Sequence, residues 1–231
     1  LDLGPGDILW TSPMTFVASS NCGLYCGAKV DFVDIDESSR NISVEKLEEK
    51  LIDSAKLGKL PKVLVVVHLA GMPCELEKIK NLSSQYGFKI IEDASHAVGA
   101  KYHGSPIGSG NFSHCTVFSF HPVKIITSGE GGMVTTNSKT LFDSMARLRT
   151  HGITANPEHM LERPNNEIWN FQQVELGLNY RMTDIQAALG QSQLTRVDKI
   201  VSKRNQISDF YDDAFKDLPI KLPPRQDGIY S

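Results

Sequence analysis

The chain has 231 residues, 40% of them hydrophobic and 22% charged, which is enough apolar material to bury one large core. Its net charge of −3 offers no basic footprint for nucleic acid or an anionic membrane, and no apolar run approaches the roughly 20 residues of a spanning helix. Four cysteines are too few for a disulfide scaffold and residue 1 opens no signal peptide, so a cytoplasmic protein with no nucleic-acid or membrane partner is expected.

The opening residues Leu1–Asp7, with Pro5 between two glycines, read as a turn into a strand at Ile8-Leu9-Trp10. Cys22 and Cys26 lie four apart on an expected helix face. Without a second ligand pair they read as buried small residues rather than half of a metal site, and no metal is expected. Val30–Ile35 alternates with period two and predicts a strand. Ser43 is placed to cap a helix through Val44, Leu47 and Leu51, with Glu45 in its first turn. Lys62–His68 is a continuous apolar run, as expected of a strand buried on both faces.

Glu75–Tyr86 has helical spacing at Leu76, Ile79 and Leu82, and Gly87 stands where it would end. Phe88–Ile91 follows as a strand, ending in Glu92-Asp93-Ala94-Ser95-His96. A further strand leads to Ser119 and a glycine-rich turn holding Lys124. Gly132–Thr136 then reads as a strand and Ser138–Arg149 as a helix. Ile153–Gln173 is polar, contains two prolines and predicts a long loop. A helix from Ser202 leads toward a new element, so residues 1–200 are expected to form one large domain and 201–231 the start of a smaller one. Neither end carries a closing element, and the chain is expected to be truncated at both. Alternating strands and helices predict an α/β fold with a mainly parallel sheet.

Such folds place ligands beyond the carboxyl ends of their strands, where Asp93, Ser119 and Lys124 all fall. Alone, each has a plain reading: a turn aspartate, an interior serine, a solvated lysine. Together they match the needs of pyridoxal phosphate. A lysine amine forms a Schiff base with its aldehyde, a carboxylate holds its pyridine nitrogen protonated, and a hydroxyl donates to its phosphate. His96, three after Asp93, is placed to flank the ring or its phenolic oxygen. Thr15-Phe16 follows the first strand, and Phe16 could stack on the ring or pack in the core. No Gly-x-Gly-x-x-Gly, phosphate-loop lysine motif or Gly-x-Ser-x-Gly elbow competes.

Several segments in order carry a family resemblance: Pro5-Gly6-Asp7, Thr15-Phe16-Val17-Ala18, Val33-Asp34-Ile35-Asp36, Glu92–His96, Ser119–Lys124, Gly129–Gly132 and Gly177–Asp184. The chain resembles the DegT-type nucleotide-sugar aminotransferases. The resemblance implies a fold-type I large domain, like that of aspartate aminotransferase, and a homodimer with active sites at the subunit interface. It implies Lys124 as the Schiff-base lysine, Asp93 on the pyridine nitrogen, Ser119 on the phosphate, Phe16 on the ring with Thr15 beside it, and His96 alongside. Asn179 would reach the phosphate of the partner's cofactor, with Arg181 a neighbouring candidate. The implied reaction moves an amino group from L-glutamate to the C4 keto group of a UDP-linked 4-keto-6-deoxy-N-acetylhexosamine, in pseudaminic acid or surface-glycan biosynthesis. A related dehydratase branch carries a histidine where Lys124 stands, which argues against that reading.

Overall fold

The computed structural model describes residues 1–161 and 166–224 and the backbone of 229–230. In chain order the elements are β1 (Ile8–Thr11), α1 (Ala18–Tyr25), β2 (Lys29–Phe32), α2 (Val44–Lys56), β3 (Val63–Val67), α3 (Leu76–Tyr86), β4 (Lys89–Asp93), β5 (Lys101–Tyr102), β6 (Ser105–Pro106), β7 (Cys115–Ser119), β8 (Gly132–Thr135), α4 (Lys139–Leu148), β9 (Ile153–Thr154), β10 (Gln172–Gln173), α5 (Asp184–Leu194), α6 (Val197–Phe215) and β11 (Ile229–Tyr230). The main sheet has the order β2-β1-β3-β4-β7-β8. Every neighbouring pair is parallel except β7 with β8, which is antiparallel.

The alternation of side chains along each strand builds two faces. On one, Trp10, Leu64, Val66 and Ile90 join Leu47 and Leu51 of α2 and Leu76, Ile79 and Leu82 of α3 in the main core. On the other, Leu9, Val63 and Val65 pack with Val30 and Ile91, and α1 lies over β1 and β2. The α2 helix starts where its capping serine predicts: Ser43 Oγ accepts from Lys46 N at 3.2 Å. Gly87 ends α3 in the left-handed conformation, at φ 80°.

Four local features differ from the sequence expectation. The second strand stops at Phe32, because its partner β1 ends at Thr11, and Ile35 makes only a single bridge to Ile42. The segment expected as one long loop holds the antiparallel pair β9–β10 and a 3-10 turn at Pro157–His159, while residues 162–165 lie outside the described residues. Cys22 and Cys26 are exposed rather than buried, because α1 turns Ser19 and Gly23 inward. Finally, α6 begins at Val197 rather than at Ser202. Val201 on it is 2% exposed, and its Cγ2 lies 2.9 Å from where a Cβ on Gly99 would stand. No helix among the described residues is long and apolar enough to cross a membrane.

Candidate active site

The candidate site lies at the carboxyl edge of the parallel strands. Asp93 is the last residue of β4, paired with Val67 on one side and Val117 on the other. Strand alternation puts it on the α1 face of the sheet, shared by Ser119 two residues beyond Val117. Its carboxylate is held from three directions. Ser19 Oγ donates to Oδ2 at 2.7 Å, and Ser95 donates to Oδ1 from its backbone N at 3.1 Å and its Oγ at 2.6 Å. Ser19 Oγ in turn pairs with Thr15 Oγ1 at 2.7 Å. An ionised carboxylate has about four acceptor positions, so three donors leave one, on Oδ2, for a further N–H.

Lys124 sits in the turn after β7, its N–H donating to His121 O at 3.0 Å. The structure brings both it and Asp93 within electrostatic range of His96. Burial and then the Lys124 ammonium pull the His96 imidazole below its ordinary value, with Asp93 acting in the opposite sense. His96 Nδ1 accepts from the backbone N–H of Ala70 at 3.2 Å. Ser119 ends β7 beside Gly132, and its Oγ accepts from His121 N at 3.4 Å.

The glycines of the Gly129–Gly132 turn have a steric reason. A Cβ on Gly131 would stand 2.3 Å from Ser128 Oγ and 2.7 Å from Met182 Sδ. That close approach seats the start of α5 against the Lys124 turn. Thr183 caps α5 in a capping box with Gln186. Just upstream, Asn179 bridges Thr150, with Tyr180 N donating to Arg149 O at 2.9 Å.

Of the residues singled out in the sequence, Asp93, His96, Lys124 and Ser119 therefore gather at one sheet edge, and Thr15 joins them through Ser19. Phe16 follows Thr15 in the chain, but the residue is 74% exposed. Asn179 is exposed, on the segment that packs beside the turn. Sequence reasoning missed Ser19, Ser95 and the Ala70 amide. Ser95 carried a signal, because a serine two residues after an aspartate is a common turn partner. Ser19 carried none: it is 74 residues from Asp93, and only the packing of α1 over the sheet joins them.

A mainly parallel sheet flanked by helices is the fold this chain shares with solved aminotransferases. The chain belongs to the DegT/DnrJ/EryC1/StrS aminotransferase family, which it matches over residues 1–229. It is 40% identical over 210 residues to the UDP-4-amino-4,6-dideoxy-N-acetyl-beta-L-altrosamine transaminase of Campylobacter jejuni, covering 90% of this chain and 51% of that protein. An aminotransferase of the same family from Brucella abortus superposes with a TM-score of 0.87 at 31% identity, covering 99% of this chain and 58% of that one. Helicobacter pylori PseC, an aminotransferase involved in the biosynthesis of pseudoaminic acid, superposes with a TM-score of 0.79 at 32% identity, covering 92% and 52%. The chain spans about half the length of the curated relatives it matches.

Proposed function

We propose that this chain is the large-domain part of a pyridoxal-phosphate-dependent nucleotide-sugar aminotransferase. The reaction moves an amino group from L-glutamate to the C4 keto carbon of a UDP-linked 4-keto-6-deoxy-N-acetylhexosamine, on a route to pseudaminic acid. The observation that carries the reading is the gathering of Lys124, Asp93 and His96 at the carboxyl edge of β4 and β7. The sugar class rests on the similarity to the Campylobacter and Helicobacter enzymes.

When bound, the cofactor supplies an electron sink that makes the Cα–H bond of an amino acid acidic. Asp93 suits the pyridine nitrogen, because its carboxylate is already oriented by Ser19 and Ser95 and keeps one acceptor position open. Its negative charge holds a proton on that nitrogen. Lys124 Nζ moves the proton off Cα of the donor and onto the carbon that receives the amine. Ser119 Oγ is the phosphate donor, Phe16 the ring-stacking group with Thr15 beside it, and His96 the group flanking the ring. Asn179 serves the site of a second copy in a homodimer. Residues 1–200 form the cofactor-binding domain and α6 carries the chain into a smaller domain begun by 201–231. The protein works in the cytoplasm.

The test uses the full-length protein. Glutamate should convert the cofactor's visible absorbance band to the near-ultraviolet band of its aminated form, and a UDP-4-keto sugar should restore it. Lys124→Ala should lose the visible band. A wild-type spectrum that ignores glutamate, or a Lys124→Ala variant that keeps the band and its response, overturns the reading. A panel of 4-keto and 3-keto nucleotide sugars then fixes the acceptor.

A further inference from the structure

The loop between β3 and α3 is closed by a buried charge that the chemistry above does not use. His68 and Glu92 are 0% and 2% exposed. Nε2 of His68 lies 2.9 Å from Glu92 Oε2, while Glu92 Oε1 accepts from Ser113 Oγ and from Thr116 Oγ1, the latter at 3.2 Å. Burial by itself would raise the Glu92 carboxyl, but the hydrogen bond from His68, its electrostatic attraction, and the hydrogen bonds from Ser113 and Thr116 together outweigh it and hold the carboxyl below its ordinary value. On the other side of the ring, His68 Nδ1 accepts from the backbone N–H of Cys74 at 3.1 Å. An amide N–H only donates, so Nδ1 carries the lone pair and Nε2 the proton. Through its two ring nitrogens His68 therefore joins the first residue of the loop to its last.

Three more hydrogen bonds fix the loop. Cys74 Sγ donates to Val67 O at 3.2 Å. Asn41, 4% exposed, donates to Met72 O at 2.9 Å and accepts from Leu69 N at 3.0 Å. Held in this way, Ala70 adopts a left-handed conformation at φ 53°, which a residue with a Cβ takes only where its surroundings enforce it. That conformation aims the Ala70 N–H at His96 Nδ1.

We propose that the 68–74 loop is a tautomer clamp: by directing the Ala70 N–H onto Nδ1, it holds His96 neutral with its proton on Nε2, so that the ring presents a hydrogen-bond donor to the site. His68, Glu92 and Asn41 act through Ala70 and His96, which makes them positioning residues. Two charges act on His96 besides the amide. Lys124 disfavours the imidazolium and Asp93 favours it. The use of the donor by a bound cofactor rests on the proposed function, whereas the clamp itself is a property of the protein without cofactor.

The test is nitrogen NMR on full-length, cofactor-free protein labelled with 15N-histidine. Wild-type His96 should show an unprotonated Nδ1 and a protonated Nε2, and should titrate below its ordinary value of 6.5. In His68→Gln, which keeps a donor for Glu92 but loses the acceptor for Cys74 N–H, the two tautomers should mix and the titration midpoint should rise. In His68→Asn, whose carbonyl stands where Nδ1 does, the wild-type pattern should return. Asn41→Ala loosens the loop without touching the His68–Glu92 pair and should also raise the midpoint. A wild-type His96 protonated on Nδ1 overturns the clamp, as does an unmoved midpoint in either loosened variant that folds. If the aminotransferase reading is wrong instead, the absorbance response to glutamate is absent while the His96 pattern persists.

Discussion

Ser19→Ala removes one hydroxyl from beneath Asp93, and the consequence can be worked from the contacts it makes. The lost bond is a 2.7 Å donor to a carboxylate, from a serine that is 4% exposed. Hydrogen bonds to charged groups contribute about 1.5–3 kcal/mol. Asp93 is only partly buried and keeps two donors from Ser95, so the lower part of that range applies. Thr15 Oγ1 also loses its partner but is partly exposed and can turn to water. The expected loss is about 1.5–2 kcal/mol, a factor of roughly 10–30 in the opening equilibrium of α1. Native-state hydrogen exchange of the α1 amides in the full-length cofactor-free protein measures it without assuming that the whole molecule unfolds in one step. A double-mutant cycle with Asp93→Asn isolates the pair. Unchanged α1 protection, or the same loss from Ser19→Ala when residue 93 is already asparagine, would refute the reasoning.

Three further outcomes are expected. Glu92 has a folded value below its ordinary 4.5, so its contribution to stability is complete above about pH 4.5 and disappears as pH falls through the lower folded value; thermal midpoints from pH 7 to 3 should fall less steeply in Glu92→Gln, and parallel curves would contradict this. Leu64→Ala opens a cavity in the core beneath β3, where Leu64 is fully buried, and should cost about 2–5 kcal/mol in protection of the β3 amides; a loss under about 1 kcal/mol would mean the site collapses freely. Gly131→Ala forces a Cβ onto Ser128 Oγ and Met182 Sδ and should cost about 1–3 kcal/mol, seen as faster exchange in both the 128–132 turn and the start of α5; an effect confined to the turn would show that the two segments are not seated on each other.

Much of the sheet was legible because burial on both faces leaves a plain mark. Val63–Val67 has no polar residue, and it became a central strand with all five side chains buried. Ser43 and Gly87 marked the start of α2 and the end of α3, since a capping hydroxyl and a left-handed glycine are local requirements. Strands of two residues were not legible. Lys101–Tyr102, Ser105–Pro106 and β9–β10 have no periodicity long enough to detect, and their pairing depends on where the larger elements bring them. The exposure of Cys22 and Cys26 was equally hidden, because the face of α1 that turns inward is set by the small residues Ser19 and Gly23 rather than by an apolar stripe.

The same division runs through the site. The sequence alone placed Asp93, Ser119 and Lys124 just at or beyond strand ends, because the end of an apolar run followed by polar and glycine-rich residues is a local pattern. It also offered a carboxylate, an amine and a hydroxyl, the residue types that the proposed cofactor site needs. Only the tertiary structure decided that β4 and β7 are neighbours, which puts these groups at one edge. It alone supplied Ser19 from α1 and the Ala70 amide from a loop closed by a buried histidine and glutamate. Hydrogen bonds are satisfied through space, and nothing in the order of residues along a chain records which donor will reach a carboxylate 74 positions away.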